Sequence, residues 1–151
     1  MNADLEDRAT GCSRRDLGIL LTALAANAMA QQPNAALQAK TYSFADLPVH
    51  NSANGAIKSR AVFDGVTTRG QRITAHFSEL APGQIPHPPT RQKHEEIILL
   101  REGTLEVTLN GVTSTIGPGS VIFVPFEDLN GWKNVGTTLA QYFVVSIEEH
   151  A

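Results

Sequence analysis

GTLEVTLNGVTSTIGPGSVIFV, running from Gly103 to Val124, is the stretch on which the fold turns. Leu105, Val107 and Leu109 alternate with Thr104, Glu106 and Thr108, the period of two that puts apolar side chains on one face of a strand. Asn110-Gly111 follows at once, and both residue types tolerate the positive φ of a tight type I′ hairpin turn. Val112 to Ile116 reads as the return strand, and Gly117-Pro118-Gly119 as the next turn. Val121 to Val124 is apolar without alternation, the pattern expected of a strand buried on both faces. Working outward, Ala56 to Phe63, Arg72 to Leu80 and Glu96 to Arg101 read as further strands, the last again apolar on both faces. Leu139 to Ile147 closes the series, with Leu139, Phe143, Val145 and Ile147 on one face. Short strands at even spacing, with no helical period between them, predict an all-β sandwich or barrel.

Composition narrows the classes of function. A chain of 151 residues has room for one domain with a real core. Its single cysteine excludes an internal disulfide framework and a cysteine-based zinc site. A formal charge of −3 gives no basic footprint, so no nucleic-acid partner is expected. The five histidines leave metal binding open.

The first thirty residues differ from the rest: all six Phe, both Tyr and the one Trp lie at or after Tyr42. Ser13-Arg14-Arg15-Asp16-Leu17, an Ala/Leu-rich run to Ala26 and then Ala28-Met29-Ala30 have the three parts of a cleavable export signal. The paired arginines resemble a twin-arginine signal, with Leu17 where Phe is commonest. The apolar run falls short of the roughly 20 residues of a spanning helix, so no permanent membrane anchor is expected. The expected organisation is residues 1–30 as signal, 31–41 as a flexible start and 42–151 as the barrel domain, exported to a periplasmic or extracellular space. Cys12 precedes the apolar run and would leave with the signal, which suits an oxidising compartment.

Two segments then resemble the paired motifs of the cupin superfamily. In PGQIPHPPTRQKHEEIILLREG, Pro82 to Gly103, the family pattern of Gly, two histidines, Glu and Gly finds Gly83, Glu96 and Gly103. In GSVIFVPFEDLNGWKNVG, Gly119 to Gly136, the second pattern finds Gly119, Pro125 and Asn134. The resemblance covers roughly Arg72 to Ile147 and implies a double-stranded β-helix, the cupin jelly-roll barrel, with a ligand pocket inside. It also implies a homodimer, since small cupins commonly pair through their sheets.

The resemblance implies a divalent metal held by two histidines and Glu of the first motif and one histidine of the second. Here the two histidine positions hold Thr90 and Gln92, or Pro89 and Arg91 at the alternative spacing. The second-motif position holds Asn130, and Glu96 alone remains. Neutral amide and hydroxyl oxygens are weak ligands for Mn, Fe, Ni or Zn, so no cofactor is expected at that site. An alternative set is His87, His94 and Glu96, because His94 and Glu96 share a strand face and two histidines with a carboxylate match a facial triad.

Without metal, Thr90, Gln92, His94, Glu96, Asn130 and Trp132 are the candidate pocket residues for a small polar ligand, a sugar or a carboxylate. Glu96 and His94 are also candidates for acid–base catalysis. His76, mid-strand with Thr74 and Ser78 on a polar face, reads as solvated, with pocket lining the alternative, and His50 and His150 read as surface residues. Three functions follow: a binding barrel, a metal-dependent oxygenase or isomerase, and a packed structural dimer.

Overall fold

The computed structural model describes residues 36–148. The export signal of residues 1–30, Cys12 and His150 lie outside the described residues.

The alternation seen in the sequence becomes two antiparallel sheets. A six-stranded sheet has the order β1-β2-β3-β10-β5-β8, from Val49–Asn51, Ile57–Val66, Arg72–Leu80, Ala140–Glu148, Glu95–Glu102 and Val121–Val124. A four-stranded sheet has the order β4-β9-β6-β7, from Thr90–Arg91, Leu129–Asn134, Leu105–Leu109 and Val112–Ile116. A 3-10 turn, Phe44–Asp46, is the one helical segment among the described residues. This is the jelly-roll barrel expected from the motif pair.

The hairpin that opened the reading forms as expected. β6 and β7 pair from Leu105↔Ile116 to Leu109↔Val112, and Asn110 and Gly111 take φ of 48° and 85°, the double positive value a type I′ turn needs. The turn after β5 is set by Gly103, at φ 88°, where an added Cβ would lie 2.7 Å from Ala140 Cα. Only glycine fits there, because backbone atoms cannot give way as a flexible side chain can.

Between the sheets, Leu80, Ile98, Leu100, Leu105, Val107, Ile122 and Val124 pack with Ala140, Tyr142, Val144 and Trp132. Asn134 is fully buried at the edge of this cluster. Its amide nitrogen donates to the carbonyls of Leu80 and Thr138, each at 2.8 Å, and its Oδ1 accepts from Gly136 N at 2.9 Å. The motif asparagine is therefore a clamp joining the end of β3 to the β9–β10 loop.

Three strand readings need correction. β5 and β8 are not buried on both faces: Ile97, Leu99, Val121 and Phe123 are 38%, 42%, 61% and 52% exposed, while their alternate neighbours are buried. Continuous apolar sequence does not separate a two-sided core strand from one whose outer face is apolar and open. In β10 the face toward the core is Ala140, Tyr142, Val144 and Ser146 rather than that of Phe143, Val145 and Ile147, and Leu139 lies outside the strand and exposed. A one-residue change of register exchanges the faces of a strand, and here both carry enough apolar residues to read as the inner one.

Candidate functional site

The core cluster fills only part of the barrel. Beyond it lies an open cavity of about 480 Å³, within the usual range for small-molecule sites. Its walls come from the inner faces of β2, β3, β10 and β5 together with the loop around Pro86, His87 and Gln92. The sequence places polar residues at alternate positions there: Thr74, His76 and Ser78 on β3 point the same way. The same alternation supplies Leu80 to the packed core.

Glu96, on β5 opposite Ser146 of β10 and Val124 of β8, is 7% exposed. Its Oε1 accepts a hydrogen bond from His94 Nε2 at 3.1 Å. Its Oε2 is buried in the cavity wall with no protein partner. Buried carboxylate oxygens are normally satisfied, so this oxygen, on a residue that lines the cavity, has hydrogen-bonding capacity left over. Chemically, a carboxylate with one oxygen tied and the other free can accept a hydrogen bond or a proton from a bound molecule.

Trp132 lies on β9, 6% exposed, between the packed core and the cavity. Its ring meets His87 and Tyr142 edge-on at centroid distances of 5.3 and 5.9 Å. The indole Nε1 lies near the Tyr142 hydroxyl but makes no hydrogen bond of acceptable geometry. Burial pushes the Tyr142 hydroxyl above its usual pKa, with its close neighbours Trp132 and Ser78 pulling weakly the other way, so it stays a neutral donor and acceptor.

His76, read from sequence as solvated with pocket lining as the alternative, lines the cavity. Burial lowers its pKa, outweighing the opposing attraction of Glu96, so the ring is neutral at pH 7. His50 stays exposed and contributes to the cavity edge. The signal was the polar row Thr74-x-His76-x-Ser78, a strand face that sequence shows to be polar without showing whether it meets water or a cavity.

Of the six sequence-chosen pocket residues, Gln92, Glu96 and Trp132 line the cavity. His94 sits behind Glu96 and touches the cavity through it. Thr90 and Asn130 face each other across the β4–β9 pair instead. The Asn130 amide nitrogen reaches the Thr90 and Asp128 carbonyls at 3.4 and 3.3 Å, and its Oδ1 is buried without a partner. The loop bearing Gln92 is pinned by Glu127, whose N donates to Gln92 O at 2.9 Å. Arg91 Nη1 donates to Glu127 O at 2.6 Å, and Lys93 pairs with the Glu127 carboxylate.

The metal-binding sets do not assemble. Among the described residues no three His, Cys, Asp or Glu side chains stand close enough to hold an ion together. His94 and Glu96 are paired, but His87 stands across the wall against Trp132, its Nδ1 donating to Pro88 O at 2.9 Å. At the motif positions Thr90 and Asn130 are bound to each other's strand. This donor set does not fit a tightly held transition metal.

Comparison with known proteins agrees with the fold. Residues 76–146 match the family model described as Cupin domain, a little under half of the chain. No curated protein matches the sequence. Among solved structures, the cupin domain of Schizosaccharomyces pombe Cnp3 is similar at 17% identity and TM-score 0.61, over 74% of this chain and 76% of that one. A predicted oxalate decarboxylase from Thermotoga maritima is similar at 15% identity and TM-score 0.62, over 73% and 100%. The polyketide cyclase RemF from Streptomyces resistomycificus is similar at 22% identity and TM-score 0.59, over 74% and 81%. The differing activities in these names show why the barrel alone assigns none.

Proposed function

We propose that this cupin-fold barrel is an exported binding protein that takes a small polar ligand, a sugar or a carboxylate, into its cavity without a resident metal. The observation that carries the reading is the open, polar-lined cavity, with Glu96 on its wall holding one carboxylate oxygen that no protein group bonds. Leaving such an atom bare costs about 1–3 kcal/mol, a cost that a ligand bonding it would relieve. The hollow itself argues against a barrel that serves only as packing.

A ligand that binds only the folded state raises the melting temperature by mass action. Thermal unfolding of the full chain against a panel of sugars and carboxylates should give at least one saturable rise, lost in Glu96→Leu. A flat panel would count against the binding reading. Metal analysis of protein purified from its native compartment decides the metalloenzyme alternative: stoichiometric metal, lost in a His94→Ala/Glu96→Ala variant, would overturn the metal-free reading.

Two further elements belong to this proposal. Export rests on Arg14-Arg15 and the apolar run that follows; Arg14→Lys/Arg15→Lys should retain the protein in the cytoplasm. Homodimerisation is supported by the outer face of the six-stranded sheet. There Ile97 pairs with Phe123 and Leu99 with Val121, and the row continues into Val145 and Phe143. A contiguous apolar patch of this kind needs a cover, and a second copy offers an uncharged surface of the same kind. Phe123→Lys should convert a dimer to a monomer in sedimentation; an unchanged mass would point to another cover.

A further inference from the structure

Resting on the binding reading above, we infer that the cavity is built for a hydroxyl-rich ligand of the sugar or polyol class that carries no carboxylate, and that it selects against the corresponding acids.

Charge is the first argument. The cavity wall contains two carboxylates, Asp64 and Glu96, and no lysine or arginine. Asp64 is already neutralised: its two oxygens accept from Arg72 Nε and Nη2 at 3.1 and 3.0 Å. Glu96 has only His94, and that on one oxygen. The other titratable groups on the wall are His50, His76, His87 and Tyr142. His76 and Tyr142 are held neutral by burial, and His87 spends one ring nitrogen on Pro88. A ligand carboxylate would therefore enter beside Glu96 with no fixed cation to meet it, and the repulsion grows as water leaves.

Hydrogen-bond chemistry is the second argument. Ser59, Ser78, Thr74 and the Tyr142 hydroxyl line the wall, and each can donate or accept, so the wall suits a molecule with many hydroxyls.

The test is calorimetry on the full chain with matched pairs that differ in one group: galactose and galacturonate, glucose and glucuronate, and a neutral pentitol beside its aldonic acid. The expected result is that the neutral members bind about tenfold or more tighter than their acid partners. In Glu96→Gln, which keeps the shape and removes the charge, the discrimination against the acid should shrink by about tenfold, and unchanged far-UV dichroism would show that the fold survives. Acids binding as tightly as neutral ligands in the wild type would overturn the assignment of ligand class while leaving a binding cavity. No binding by any member of the panel would overturn this inference and the binding reading together.

Discussion

The two halves of the barrel interior use the same strands and the same alternation to opposite ends. On one side Leu80, Ile98, Leu100, Leu105 and Val124 interlock at essentially zero exposure. On the other, one or two turns of the pleat further along β3, β10 and β5, the inward positions become Ser78, His76, Thr74, Ser146 and Glu96, and the space between the sheets stays open. The backbone is continuous across the boundary. Side-chain chemistry alone decides which half packs and which half is hollow, because aliphatic groups gain by excluding water and the polar ones lose unless something bonds them. Trp132 and Tyr142 stand at the boundary, each belonging both to the packed cluster and to the cavity wall.

The contrast is sharpest in stability measurements. Leu100→Ala should lose about 2–5 kcal/mol in denaturant unfolding, since it empties a fully buried position. Ser59→Ala, on the cavity wall, should change stability by less than about 0.5–1 kcal/mol. Equal losses at the two positions would erase the distinction.

Asn134→Ala comes next, at about 2–3 kcal/mol, because three hydrogen bonds at a buried site go unmade. Glu96→Leu should go the other way: removing a buried oxygen without a partner leaves the midpoint unchanged or raises it by up to about 1 kcal/mol, while ligand response disappears. A loss as large as that of Leu100→Ala would mean that Glu96 belongs to the packed half.

His76 gives a smaller, pH-dependent effect. Its folded pKa lies below the ordinary 6.5, because burial disfavours the charged ring. Above pH 6.5 the ring is neutral in both states and has no effect on the equilibrium. As the pH falls from there toward the folded pKa, the unfolded chain takes up the proton first and stability declines. Urea midpoints of His76→Gln should fall less than those of the wild type over that acidic window; parallel curves would place His76 in water. The smallest effect belongs to Gly131→Ala, where the new Cβ would meet Pro89 atoms at 3.1–3.3 Å and shift the loop bearing His87 by a few tenths of an ångström. That should alter ligand affinity more than stability.

Much of this was legible in the residues. The period-two run of Leu105, Val107 and Leu109, the Asn110-Gly111 turn and the glycines at 83, 103 and 119 fixed the strand pattern and the barrel, because turns and alternation are local properties of a chain. The departures at Thr90, Gln92 and Asn130 likewise showed that Glu96 stands without the usual metal ligands. The outer faces of β5 and β8 were not legible, since an apolar residue facing a neighbouring sheet and one facing outward look alike in sequence. The cavity wall was legible only in part: Gln92, Glu96 and Trp132 follow from the motifs, but Tyr142 and His76 lie far from them in the chain and join them only through the β3–β10–β5 pairing. Sequence determined which strands form and which residue types stand at the motif positions. Tertiary structure alone decided which face of each strand turns inward, and so which polar side chains line an open space.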